Sequence, residues 1–377
     1  MCEPSLSRPR ILHVIHSSAF GGGPNMLAII CLRLGDQFDM EVICDGQGDV
    51  PSRLEAAGVQ LHRLPLTTKW SFTAQIPHLA AVIRARRPAL VQLHGQFAGS
   101  LGQIAVQLAG RPRSVYAVQW PSYLDDTGPW SRVRNHVAER VSCGLATAVV
   151  AVADHDRRTL VERGLCSPDK ISVIHNAYYP EGLADAPASG RPTRNESVVG
   201  FVGRLSDQKG AQFLIQAVPQ VLAAHPATRF VIVGDGPERP RLERLVAELG
   251  VDRAVEFKGY QPEPAQLVKD MDVVVIPSIY DPFPLVTLEV MACGRPVVGA
   301  AVGGIPEAVE DGRTGILVPP RDAAAIARAL IKLIASPDLR LEMGAAARAR
   351  AKENFSPSVI AAQYSDLYRR LLDKTSS

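Results

Sequence analysis

From Val273 to Val298 the chain reads VVVIPSIYDPFPLVTLEVMACGRPVV. A β-branched apolar run is followed by a proline-broken loop, a stretch of helical period stopped by glycine, and a second apolar run. That is a βα unit feeding a parallel sheet. The same alternation fills both halves of the chain. In the first half, strands are expected at Ile11–Ile15, Met40–Cys44, Val59–Leu64, Ala89–Leu93, Ser114–Val118, Ala148–Val152 and Ile171–Ile174. In the second, they are expected at Val198–Val202, Phe230–Val233, Val255–Phe257, Val273–Ile276 and Val297–Gly299. The fold class is therefore α/β, with two Rossmann-like parallel-sheet domains.

A chain of 377 residues, 46% of them apolar, is too long for one average domain. The stretch from Tyr179 to Glu196, YPEGLADAPASGRPTRNE, has linker composition. The expected division is residues 1–179 for a first domain, 180–196 for a linker, 197–355 for a second domain, and 356–377 for a terminal helix. Open parallel sheets bind ligands at their strand carboxyl ends, beside helix N-termini, so a cleft between the two domains is expected.

Composition narrows the partners. Lys and Arg number 41 against 38 for Asp and Glu, a net charge of +3 that argues against nucleic acid as the main partner. The six cysteines form neither a C-x-x-C pair nor a close cluster with histidine, so no disulfide framework, metal site or metal cofactor is indicated. MCEPSLSRPR lacks the apolar run of a secretory signal, and the expected location is the cytoplasm. Gln75–Arg87, QIPHLAAVIRARR, joins an apolar stripe to a basic end, which fits either a core helix or weak contact with an anionic membrane surface.

Several loops carry chemistry. Pro282 and Pro284 suit a helix entry, so the backbone N–H groups of Leu285, Val286 and Thr287 are expected to be free to bind a phosphate or diphosphate. Asp281 and Glu289 bracket that entry; as pure acceptors, carboxylates suit sugar hydroxyls and not phosphates, although a helix cap for Asp281 and a solvated helix position for Glu289 are the plainer roles for either alone. In VVGFVGRLSDQKG, Arg204 follows a strand and Lys209 stands five residues on, so both cations can converge on one anion. FVIVGDGP, starting at Phe230, lacks the third glycine of a dinucleotide fingerprint and is taken as a pocket wall. Gly21-Gly22-Gly23-Pro24 after the first strand lets backbone lie against a ligand, with a helix expected from about Asn25. Trp70, Trp120 and Trp130 all fall in the first half, where stacking on a sugar competes with ordinary packing.

The glycine loop, GRLSDQKG, VGDGP, the DPFPLVTLEVMACGRPVV block and Gly303-Gly304-Ile305-Pro306-Glu307 occur here in that order. In this the chain resembles the retaining nucleotide-sugar glycosyltransferases of the GT-B fold, family four or group one, over nearly its whole length. The resemblance implies that Arg204 and Lys209 bind the donor diphosphate and stabilise it as leaving group, and that Glu289 holds the ribose. It also implies that Asp281 lies by the donor sugar's hydroxyls, that Gly22 and Gly23 face the diphosphate, and that Gly259 and Tyr260 border the base. The terminal helix, Ser356 to Leu372, would cross back to the first domain. Gln119 stands where such proteins often have a sugar-facing histidine, and His94 is the other cleft histidine. Prolines 282 and 284 replace the usual glycines, and His175-Asn176-Ala177 replaces a Pro-Asn-Gly hinge.

The expected activity is a metal-independent, retaining transfer of a hexosyl or N-acetylhexosaminyl group from a UDP-sugar to a hydroxyl acceptor. The catalytic candidates are Arg204, Lys209, Asp281 and His94. Two rivals share the architecture: a nucleotide-sugar epimerase, and a silent nucleotide-sugar-binding protein.

Overall fold

The computed structural model describes residues 8–18, 21–66, 69–119, 128–178, 180, 183–185 and 196–373. The chain divides into two compact units, one made of 1–176 with 357–377, the other of 177–356.

The first unit holds a seven-stranded sheet of β1 (Arg10–Ile15), β2 (Asp39–Cys44), β3 (Gln60–Arg63), β4 (Leu90–His94), β5 (Ser114–Val118), β6 (Ala148–Ala151) and β7 (Ile171–Val173), in the order β3-β2-β1-β4-β5-β6-β7. All pairs are parallel. β1, β2, β4, β5 and β6 are almost wholly buried, which is why they read as unbroken apolar runs. Leu12, Val14, Val91 and Leu93 pack on Ile76, Leu79, Ala80 and Ile83 of the helix Lys69–Arg86. The apolar stripe of Gln75–Arg87 is thus core. At its basic end Arg86 bonds Glu41 and Arg84 donates to the carbonyl of Leu108.

The terminal helix Pro357–Asp373 belongs to the first unit. It buries Ile360, Tyr364, Leu367, Tyr368 and Leu371. Polar ties fix its rotation: Tyr368 bonds Gln92 of β4, Ser365 Oγ donates to Gln37 at 2.6 Å, and Arg113 donates to the carbonyl of Leu372 at 3.0 Å.

The second unit holds a six-stranded parallel sheet of β8 (Ser197–Val202), β9 (Thr228–Val233), β10 (Val255–Gly259), β11 (Val273–Ile276), β12 (Val297–Ala300) and β13 (Gly315–Val318), ordered β10-β9-β8-β11-β12-β13. β13 was not expected from the sequence. It extends the sheet past β12, pairing Val297–Ala300 with Gly315–Val318. In each sheet the strand order reverses beside its first strand: between β1 and β4, and between β8 and β11. Those are the positions at which open α/β sheets bind ligands.

Candidate functional site

At the β8/β11 reversal, four loops are welded by backbone. Gly203 N donates to Val233 O at 3.0 Å and Leu205 N to Asp235 O at 2.9 Å, so VGDGP supports the GRLSDQKG turn from below. A Cβ on Gly234 would stand 1.9 Å from Gly203 O, and one on Gly236 2.3 Å from Leu205 O. These glycines are needed for close approach between loops, which explains a G-x-G that is no dinucleotide fingerprint. Ile279 N donates to Gln208 O at 2.8 Å and Gly304 N to Asp281 O at 3.1 Å, tying the GRLSDQKG, PSIYDPFP and GGIPE loops into one body.

Within that body Lys209 ends a short 3-10 turn, Asp207–Lys209, ahead of the helix Ala211–Ala224. Its Nζ lies 2.5 Å from Asp281 Oδ2, which also accepts from Ser278 Oγ at 3.2 Å. Asp281 is buried, so it acts first as the anchor that aims Lys209. An ammonium has three donors, and one bond to Asp281 leaves two for a ligand. Arg204 does not share Lys209's anion; it is exposed and makes no ion pair among the described residues.

The next helix runs Leu285–Ala292 with Pro284 preceding it. Thr287 N donates to Pro284 O at 3.1 Å, which corrects the expectation of three free amides: the first turn tightens and leaves those of Leu285 and Val286. Thr287 Oγ1 is buried without a partner among the described residues, an expensive state for a hydroxyl. One turn on, Glu289 is half-buried, and burial pushes its carboxyl up to about 8. No hydrogen bond to that carboxyl is made among the described residues. At the end of β10, two strands or about 10 Å from β8, Gly259 has φ +67° and the ring of Tyr260 is exposed.

In the first unit, Gly22 and Gly23 are already helical: the helix runs Gly22–Leu34, starting earlier than the expected Asn25, because Pro24 fits a first turn and Gly21 turns in with φ +120°. A Cβ on Gly23 would stand 2.4 Å from Gln119 Oε1, and one on Gly95 3.6 Å from it, so Gln119 is seated between two glycines beyond β1, β4 and β5.

His94 does not join them. It is the last residue of β4, 1% exposed, its Nε2 3.0 Å from His13 Nδ1, and burial holds its ring down at about 3. A ring kept neutral and enclosed beside His13, which in turn meets Tyr368 edge-on, is a core histidine, which corrects its expected cleft role. The histidine at the strand end is His16, directly after β1, half-buried, with Nδ1 unpartnered and its ring edge-on to Phe97 at 5.2 Å. Sequence reasoning did not choose it, although its place between a strand and a triple glycine was the available signal. Trp120 and Asp125-Asp126 lie outside the described residues, as does the side chain of Trp70. Among the described residues no three His, Cys, Asp or Glu side chains group as a metal site.

The chain belongs to the GT-B glycosyltransferase family matched by two models: a glycosyl transferase 4-like domain over residues 21–177 and glycosyl transferases group 1 over residues 196–336. It is 33% identical to a D-inositol 3-phosphate glycosyltransferase of Streptomyces scabiei over 74% of this chain and 67% of that one. It is 30% identical to an alpha-maltose-1-phosphate synthase of Mycolicibacterium smegmatis over 78% and 82% respectively. Among solved structures, Anabaena HepE in complex with UDP and glucose superposes with a TM-score of 0.79 at 25% identity, covering 96% of this chain and 99% of that one.

Proposed function

We propose that this glycosyltransferase takes a UDP-linked hexose or N-acetylhexosamine and transfers it, with retention and without a metal ion, to a hydroxyl acceptor. The observation that carries the reading is Glu289. A carboxyl with no hydrogen-bond partner among the described residues, acceptor-only once ionised, beside two free amides and an orphaned hydroxyl, is matched by a ribose diol next to a diphosphate. Arg204 and the Asp281-anchored Lys209 then face the phosphates, and Tyr260 borders the base. Cleaving the sugar–phosphate bond develops negative charge on the diphosphate; preorganised cations and N–H donors stabilise that charge. HepE, bound to UDP in its own structure, supports the choice of base. Retention rests on family membership. Gly22 and Gly23 are assigned to the diphosphate and Gln119 to the sugar, with His16 replacing His94 as the histidine to test beside them.

Thermal unfolding with a panel of UDP-, GDP- and ADP-sugars tests this. A UDP-sugar at 100 times its Kd is expected to add about 2.7 kcal/mol to stability. Stabilisation by another base alone would overturn the choice of nucleotide, and no response to any would overturn the site. Product linkage, read by NMR of the anomeric proton, tests retention.

A further inference from the structure

The helix Pro129–Leu145 of the first unit is turned inside out. Its buried face is mostly polar, made of Asn135, Glu139 and Ser142 beside Cys143, with Tyr116 OH donating to Glu139 Oε1 at 2.9 Å from β5. Its outer face is apolar: Trp130 is 87% exposed, Val133 60%, Val137 53%, Val141 52% and Leu145 41%. Successive steps of three or four residues put these five on one stripe of the helix. Apolar side chains that merely miss the core scatter singly, whereas a contiguous stripe along a whole helix marks a docking face.

Charge says what docks. Every charged side chain this helix exposes is basic, namely Arg132, Arg134 and Arg140, and its one acid, Glu139, is buried. A second copy packed on the stripe about a twofold axis would set arginine against arginine. An anionic bilayer offers what the face lacks: phosphates for the guanidinium groups and an acyl boundary for Trp130 and the valines. No described helix is long and apolar enough to cross a membrane, so the contact is one of lying on the surface. We propose that the helix Pro129–Leu145 docks the protein on an anionic lipid surface, with Trp130, Val133, Val137, Val141 and Leu145 seated among the headgroups. The inference stands on the first unit alone and survives or fails independently of the donor.

Co-sedimentation of the full chain with phosphatidylcholine vesicles, with and without phosphatidylglycerol, reads it out. Binding is expected only to the phosphatidylglycerol vesicles and is expected to weaken with salt. The double variant Val137→Asp/Val141→Asp is expected to bind at least about tenfold less, and Arg134→Glu/Arg140→Glu to lose the salt-sensitive part. All four positions are exposed, so unfolding transitions should match wild type and separate lost docking from lost fold. Absence of binding at low ionic strength, or equal binding by the aspartate variant, would overturn the proposal. So would a wild-type dimer that the aspartate variant dissolves while vesicles bind neither protein, because a second copy would then own the face.

Discussion

Glu289 gives the donor site a proton signature. In the unliganded protein burial holds its carboxyl up at about 8, so near neutral pH it is protonated. A ribose diol that donates both hydroxyls needs the ionised form, and binding must expel the proton. If the bound carboxyl returns to its ordinary 4.5, close to one proton leaves at about pH 6.5 and none at about pH 9. Affinity should therefore rise up to about tenfold per pH unit between roughly pH 6 and 8 and flatten above. UDP-glucose is the suitable ligand, because the terminal phosphate of UDP itself titrates within that window. Calorimetric titrations in phosphate and in Tris at one pH should give heats differing by one proton's worth of buffer ionisation, and Glu289→Gln should remove the difference. The same shift acts on folding: between 4.5 and about 8 the folded chain holds a proton the unfolded chain has released, so stability falls as pH rises. Glu289→Gln should flatten that slope. Buffer-independent heats with a constant Kd across the window would refute the assignment.

Two pairs of substitutions separate ligand binding from scaffold. Arg204→Ala and Lys209→Ala should each lower kcat/KM at least tenfold, about 1.4 kcal/mol. Arg204→Ala should leave the unfolding midpoint in urea unchanged, whereas Lys209→Ala strands buried Asp281 and should cost about 2 kcal/mol of stability. Unchanged steady-state rates in both would reject their roles. Gly23→Ala meets only the tip of Gln119, at 2.4 Å, so it should turn that amide aside and cost activity with less than about 1 kcal/mol of stability. Gly303→Ala places a Cβ 1.9 Å from the backbone oxygen of Asp281 at φ +54°, where nothing can yield cheaply; a loss of at least about 2 kcal/mol is expected, with the Asp281 loop displaced. Equal midpoints for the two alanine variants would contradict that account of the loops.

What could be read from the sequence divides along a physical line. Buried parallel strands announce themselves as apolar runs, and loops that touch backbone to backbone announce themselves as glycines; hence most strand positions, GRLSDQKG, VGDGP and GGIPE were legible. β13 was not, because four residues between D-G-R-T and two prolines become a strand only by pairing with β12. Nor was the Lys209–Asp281 pair, whose members lie 72 residues apart and meet because β8 and β11 are neighbours. The histidines turned on a single residue of strand boundary. β4 runs through His94 and carries that ring into the core, while β1 stops at Ile15 and leaves His16 at the loop. The outward apolar face of the helix Pro129–Leu145 was not legible either: periodicity reports that a helix has an apolar face, not which way it points. Inward burial is the default because apolar area leaving water contributes about 25 cal/mol per Å². Here the bond from Tyr116 to Glu139 holds the polar face against the sheet. The apolar area left outside goes unused in the unit by itself, so the stripe is where selection for a partner surface would leave its trace.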